Sequence, residues 1–307
     1  MTSINTNRAA MTALASLNAT NSKLDAAQQR ISTGLRVSSA QDNAAYWSIA
    51  TTMKSDNSSL STVKDALGLG AATVDVTYTA LNSTITIAQQ IKDKLVAALQ
   101  PGVDRSKIQS DIKSLQNQLK STAESANFSG SNWLSEDSSD PSYNATKSIV
   151  SSFQRDASGI SIQTITFDGT TSKLFDPSNQ TGILDKTSTT TNGNVVYSVS
   201  TLDISTLTNS PADIADLTEM IKTVDSAIGS MTSSAAGLGA MKTRIDSQSS
   251  FISSLMDAIT RGVGTLVDAD MSEESTKLQA LQVQQQLGTQ ALSIANQSSQ
   301  SILSLFK

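Results

Sequence analysis

From Leu278 through Phe306 this chain carries no charged side chain, and its apolar residues there fall into two separate lines. Leu281, Leu292 and Leu303 recur every eleven residues, and so do Val283, Ile294 and Leu305. Eleven residues make about three helical turns, so each set runs nearly straight along a helix. At roughly 100° per residue the two lines lie on different sides, with Gln, Ser and Asn filling the remainder. Such a helix has to be covered on two sides. Gln279, Gln282, Gln284, Gln285, Gln286, Gln290, Gln297 and Gln300 interrupt the apolar run that a bilayer demands. A crowded, neutral protein interior is the matching environment.

At the other end Ala10, Leu17, Leu24 and Ile31 repeat every seven residues with Leu14 beside them, the seam of a coiled coil. The two ends therefore suit each other as packing partners. Ordering a residue costs about 1–2 kcal/mol of backbone entropy, and a fully buried aliphatic side chain returns roughly 1.5–3 kcal/mol. A lone pair of such helices is marginal, so both ends are expected to be disordered in the monomer and to fold on assembly.

Pro101, Pro141, Pro177 and Pro211 all lie in the middle, leaving both flanks without that helix breaker. Met53, Leu60, Leu67, Val74, Leu81, Ala88 and Leu95 hold one seven-residue register, with Ile49, Val63 and Ile91 on the adjoining seam, which predicts a single long helix. After Gln100, Pro101 and Gly102, a shorter helix with the stripe Ile108, Ile112, Leu115 and Leu119 should fold back on the first. From Ile214 the pattern resumes through Leu217, Ile221, Val224, Ile228, Met231, Ala235, Leu238, Ile245, Ile252, Met256, Ile259, Val263 and Leu266. Lys242 and Ser249 interrupt it; Lys242 reads either as a snorkelling edge residue or as a polar position that sets register. A pause is expected near Gly262, Gly264 and Asp268, followed by an Asp270/Glu273 capping box. A matching pause is expected near Gly34, with Ser38 to Asn43 as connector.

Between Trp133 and Pro211 the chain is rich in Ser, Thr, Gly and Asn, with short alternating pieces at Ile160, Ile162, Thr164 and Thr166 and at Val195, Tyr197 and Val199. The fold class that follows is mainly α: a long antiparallel helical coiled-coil bundle built from both chain ends, with a small β-rich outer domain inserted in the middle. Its expected divisions are 1–42 with 267–307 as the inner terminal coiled coil, 43–133 with 211–266 as a helical rod, and 134–210 as the outer domain.

Composition narrows the function. A net charge of −5 and a pI near 4.8, with no basic stripe, argue against nucleic acid as a partner. With neither Cys nor His, disulfides, thiol nucleophiles, the usual zinc sites and the commonest general base are all missing. Asp268 and Asp270 read as hinge and helix cap rather than as metal ligands, and Trp47 and Trp133 as packing anchors. No phosphate loop, nucleophile elbow or other catalytic constellation stands out, and no cofactor is expected. Asn-x-Ser/Thr triplets are frequent, as chance dictates in a chain so rich in Ser and Thr. Met1 to Asn7 lack the charged and apolar regions of a secretory signal, so leaving the cell would need another route.

The stretch Gln29 to Ala50, QRISTGLRVSSAQDNAAYWSIA, resembles the N-terminal signature of bacterial flagellins. The ending from Leu266 to Lys307, with LVDADMSEES and QVQQQLGTQALSIANQSSQSILSLFK, is similar to the matching flagellin terminus, and the opening SINTNRAAMTAL agrees with both. The likeness covers roughly the first 130 and last 95 residues. It implies a self-assembling subunit of the flagellar filament for swimming motility, secreted through the flagellar type III apparatus without a cleaved signal and added at the distal tip under a cap. The partners it implies are the chain itself, with or without other flagellins, the cap, the hook-junction proteins and an export chaperone; neither nucleic acid nor membrane is among them. The assembly interface then comprises Leu14, Leu17, Leu24, Ile31, Leu281, Leu292, Ile294, Leu303, Leu305 and Phe306. In that family the paired ends form the innermost shell, the long helices a second one, and the middle of the chain faces outward. A hook-filament junction protein of the same superfamily is the alternative, and an enzyme working through the outer module a third reading.

Two recognition regions of the family fall on altered residues. Animal innate receptors for flagellin grip positions that align with Gln90, Lys94 and Asp111, where recognised members usually carry Arg, Leu and Glu. Losing a guanidinium fork, or placing an ammonium where a Leu packed, should each weaken the contact by on the order of 1 kcal/mol or more. In the plant-sensed stretch, the usual Lys, Asp and Gly are replaced by Gln41, Asn43 and Tyr46. These departures resemble those of short flagellins from plant-associated soil bacteria, and poor recognition is expected.

Overall fold

The computed structural model describes residues 6–156 and 159–305, the last seven by backbone alone. Helices α1 (Arg8–Thr33), α2 (Ala44–Ala97) and α3 (Arg105–Glu124) precede strands β1 (Thr146–Asp156), β2 (Gly159–Asp168), β3 (Ser188–Thr189) and β4 (Val196–Tyr197). Helices α4 (Pro211–Val267) and α5 (Met271–Leu305) complete the chain. One compact unit draws on Met1–Ser58 and Met256–Lys307, the other on Ser59–Leu255.

In the first unit α1 lies antiparallel against α5, and the two helix breaks on either side are tied to each other. Gly34 ends α1 at φ 71°, donating its N–H to Arg30 O at 2.8 Å, a left-handed cap that glycine adopts without penalty. Asp42 then gathers the N–H and hydroxyl groups of Ser38 and Ser39 at 3.0–3.2 Å, and these donors hold its carboxyl below the usual range. Asn43 caps α2 by accepting from Tyr46 N at 3.1 Å. Across from this turn, Val267 O accepts from Arg36 N at 2.7 Å and from Val37 N at 3.2 Å, while Ala269 N donates to Gly34 O at 2.9 Å. The Arg36 guanidinium adds bonds to Leu266 O and Thr265 O at 3.1 and 3.4 Å, placing a cation where a helix C-terminus carries unpaired carbonyls.

The pause expected near Gly262, Gly264 and Asp268 falls at its Asp268 end: α4 runs through both glycines and breaks at Asp268–Asp270. Glycine weakens a helix by only about 1 kcal/mol relative to Ala, whereas the short bridge between Leu35 and Asp268 redirects the backbone itself. Asp270 caps α5, accepting from Ser272 N at 2.8 Å and Glu273 N at 3.3 Å. Val37, Ala50, Val263 and Val267 form the small core beneath the joint, with Leu35, Met53, Ile259 and Leu266 around it.

In the second unit α2 presents the predicted seam, Leu60, Leu67, Val74, Leu81, Ala88 and Leu95, all buried. Its second seam contains Thr77 and Thr84, as buried as any leucine because each hydroxyl bonds the carbonyl four residues back at 2.8 Å. On α4 the buried line is Leu217, Met220, Val224, Ala227, Met231, Ser234, Leu238, Met241 and Ile245, so Met220 and Ala227 occupy places assigned from the pattern to Ile221 and Ile228, which are half-buried, and Met241 fills the line beside the interruption at Lys242. Ion pairs Lys92–Asp225 and Lys242–Asp75 link α2 to α4. Lys242 is thus a half-exposed edge residue that also has a cross-helix partner, which raises its pKa. Helix α3 folds back on α2, with Lys94 and Asp111 paired at 2.5 Å.

The middle segment rests on these helices. Strands β1 and β2 pair antiparallel from Thr146↔Asp168 to Asp156↔Gly159, with a bulge between Val150 and Ser152. Ile149 and Ile165 are buried, and Phe167 stacks on Trp133 at 6.2 Å. The alternation at Ile160 and Ile162 does mark a strand, yet both side chains are exposed, at 59% and 62%. Asp176, fully buried, binds Lys173 Nζ at 2.7 Å and the hydroxyls of Ser138 and Thr181 at 2.6 Å. Burial pushes that carboxyl up, but these donors outweigh it and hold the pKa far below the ordinary value. Gln109 and Gln116, two turns apart on α3, reach the backbone of Val199, Leu202 and Ile204, docking that loop on the helix.

Ile149 seats on Gly70 of α2, where an added Cβ would come within 2.5–3.0 Å of three of its side-chain atoms. Gly70→Val should therefore lift the β1–β2 hairpin at a cost of about 1–3 kcal/mol, read as faster hydrogen exchange across Ile149 and Ile165. Gly68→Ala, two residues away and facing open space, should stabilise α2 by roughly 0.5–1 kcal/mol.

Candidate assembly surface

The α1/α5 pair is built from a seven-residue seam on each side. On α5, Glu274, Leu278, Leu281, Gln285, Gly288, Leu292 and Ala295 are buried or half-buried, and on α1 so are Ala10, Ala13, Leu17, Leu24, Ala27 and Ile31. Leu24, Ala27 and Leu281 pack together with Leu278. Polar cross-links fix the register: Arg30 with Glu274 at 3.1 Å, Asn21 with Gln285 at 2.8 Å, and Asn7 Nδ2 with Ala295 O at 2.9 Å. At Gly288 a Cβ would stand 3.2 Å from Leu17 Cδ1, so the missing side chain lets the helices approach. Glu274, only 6% exposed, shares one oxygen between Arg30 and Lys277.

The two apolar lines of α5 now separate. Leu281 and Leu292 belong to the line that meets α1, whereas Val283 and Ile294 of the other line stand 54% and 67% exposed. Leu287 joins them at 58%, and α1 adds Met11 and Leu14 at 64% and 48%. The side chains of Leu303 and Leu305, and the whole of Phe306, lie outside the described residues. Met11 and Leu287 escaped the periodicity argument, although Leu287 follows Val283 by one helical turn. Between the helices an open groove is floored by Ala9, Ala13, Gly288, Ala291 and Ala295. With no charge on α5 beyond Lys277, only apolar and neutral polar groups face outward there.

Elsewhere, Gln41 and Tyr46 are exposed and Asn43 serves as the α2 cap. Gln90 is exposed beside the Lys94–Asp111 pair, both of whose side chains are about half-exposed. Trp133 is a buried anchor, but Trp47 is not: it stands 40% exposed next to Tyr46 at 42% and Ile49 at 50%, since the first turn of α2 projects them outward. None of the described helices is long and apolar enough to cross a membrane.

Paired chain ends that keep an uncovered apolar line define a helical subunit made to be covered by others. Residues 4–139 match the bacterial flagellin N-terminal helical region and residues 221–306 the bacterial flagellin C-terminal helical region. The chain is 50% identical to Flagellin C and 42% identical to Flagellin A of Rhizobium meliloti (strain 1021), and 46% identical to Flagellin of Brucella melitensis biotype 1, each alignment covering 100% of both chains. It belongs to the flagellin family and is a structural subunit of the flagellar filament, which these relatives favour over the hook-junction reading.

Proposed function

We propose that the chain is exported unfolded through the flagellar type III route, travels with a chaperone, and is added at the distal tip beneath a cap, on a filament that begins at the hook-junction proteins. Its ends are disordered in the free monomer; on incorporation α1 and α5 fold as the innermost shell, residues 43–133 with 211–266 forming a second shell and 134–210 facing outward. It acts without catalysis of its own. The observation that carries this reading is the exposed line Val283, Leu287 and Ile294 on a helix with no charge after Lys277, beside a seam where only Leu24, Ala27 and Leu281 are buried apolar residues among the described ones. So little burial does not hold two long helices in water, whereas burial by neighbouring copies does. A neutral inner wall would also let unfolded subunits pass without electrostatic retention.

The test is electron microscopy after a polymerisation trial on the full chain beside a version trimmed to Asn43–Val267. Filaments from the whole chain and none from the trimmed one are expected. Filaments from the trimmed chain would sink the proposal, and no filaments from either would return attention to partners at the hook.

The receptor-equivalent positions support a second aspect. The Lys94 ammonium and Asp111 carboxylate neutralise each other at 2.5 Å, which leaves fewer unsatisfied groups for a receptor to grip. Weak activation of an animal flagellin receptor is therefore proposed, with a gain in the triple variant Gln90→Arg, Lys94→Leu, Asp111→Glu in a reporter-cell assay. The Gln29–Ala50 peptide, altered at Gln41, Asn43 and Tyr46, should likewise elicit little plant response.

A further inference from the structure

The turn between β3 and β4 contains the only Asn-Gly pair in the sequence, Asn192-Gly193, and one carboxylate holds both residues. Asp216 on α4 is 1% exposed. Its Oδ1 accepts from Asn192 N at 3.1 Å and Asn192 Nδ2 at 3.0 Å, and its Oδ2 from Gly193 N at 2.7 Å. One turn further, Glu219 accepts from Thr191 N at 2.9 Å and from its hydroxyl at 2.6 Å, and beyond it Thr223 shares a 2.8 Å hydrogen bond with the Tyr197 hydroxyl. Successive turns of α4 thus clamp the β3–β4 turn, while Asn192 and Gly193 remain exposed to water on their other side.

Asn followed by Gly is the pairing in which a peptide most readily attacks itself, because glycine puts no side chain in the way. Gly193 N, having lost its proton to solvent hydroxide, bonds to Cγ of Asn192. The Cγ–Nδ2 bond breaks, Nδ2 takes a proton from water, which regenerates hydroxide, and ammonia leaves. The five-membered imide then takes up one water and opens to an aspartate or its β-linked isomer. Asp216 opposes the first step twice. An N–H that donates to a carboxylate keeps its proton, since losing it would set two negative charges side by side. With Nδ2 pinned to the same carboxylate, Cγ is not at liberty to swing over Gly193 N.

The product reverses the clamp. A carboxylate at position 192 would place a like charge where Nδ2 now donates to Asp216 at 3.0 Å, beside a group that burial already denies water. We propose that Asn192 is a site of spontaneous modification whose rate is set by the Asp216 clamp, and whose conversion to a carboxylate irreversibly releases the β3–β4 turn from α4.

The full-length chain, incubated at mildly alkaline pH in native buffer and in urea, is digested and Asn192 conversion followed by mass spectrometry, beside Asp216→Asn. Hydrogen exchange across Thr190–Tyr197 is compared between the parent and Asn192→Asp. Native conversion should be at least about ten-fold slower than in urea, as the loss of even one charge-assisted bond would suffice for. Asp216→Asn should move most of the way to the urea rate, and Asn192→Asp should exchange faster than the parent. Equal rates in native buffer and urea, no conversion in urea, or parent-like protection in Asn192→Asp would each overturn the proposal, and so would a folded Asp216→Asn that converts as slowly as the parent. The native, urea and Asn192→Asp measurements decide the matter even where Asp216→Asn does not fold.

Discussion

Replacing Ile294 by Glu is expected to leave the thermal unfolding of the dissolved chain at the parent value and to abolish its polymerisation. Ile294 is 67% exposed and lies off the seam that meets α1, so in the single chain a glutamate there stays hydrated and costs little. The proposed assembly covers the same position with neighbouring copies, and an unpaired carboxylate buried there would cost several kcal/mol per subunit, repeated at every copy. Leu292→Glu makes the contrast. Leu292 is half-buried on the α1 side, so its variant should lose filaments and also any residual α1/α5 pairing, while the Met53 to Leu266 region stays helical. Electron microscopy and sedimentation report polymer; circular dichroism and the unfolding midpoint report the monomer. Filaments of normal length from the Ile294 variant would mean that the exposed line is not an assembly contact.

How far the sequence could be read depended on whether the deciding force was periodic. The register Leu60 to Leu95 and the pairing of the two ends were legible because burial on one helix face repeats every seven residues. Gly34 and the Ser38–Asn43 connector were legible because caps and left-handed turns favour particular residues. Thr77 and Thr84 were not, because residue type suggests a surface and only the back-bond to the preceding turn makes the hydroxyl fit for a core. Their spacing with Ile91 was the available signal. That the break falls at Asp268 and not at the two glycines before it depended on the partner turn at Gly34–Val37, distant in sequence. Likewise Ile160 and Ile162 alternate as a strand should, but which face is covered depended on Gly70 of another element. On the candidate surface, the eleven-residue lines separated the two faces of α5, yet only the antiparallel register of α1 shows which line is left uncovered.

Arg105 belongs to the same class of non-local contact, and its removal should measurably destabilise the second unit. Arg105 opens α3 directly after the Asp104 cap and is 7% exposed. Its Nε donates to Ala98 O at 3.0 Å at the end of α2, one terminal nitrogen to Thr208 O, and the other to Asn209 Oδ1 at 3.0 Å. One guanidinium thus joins the α2–α3 turn to the segment where Ser210 and Pro211 start α4, with Ser210 Oγ accepting from Asp213 N at 3.1 Å. No ammonium reproduces that planar fork. Arg105→Ala leaves the buried Ala98 carbonyl without its partner, at about 1–3 kcal/mol, and removes the bridge to Thr208 and Asn209, which water can reach, so it should lower the unfolding midpoint by roughly 3–10 °C. Arg105→Lys should recover only part of that loss. Lys107→Ala, two residues on, removes an 87% exposed side chain whose 3.7 Å pair with Asp104 lies in open water, and should change the midpoint by less than about 2 °C. A midpoint for Arg105→Ala as close to the parent as that of Lys107→Ala would show that the buried guanidinium is not what ties α2, α3 and α4 together at this end.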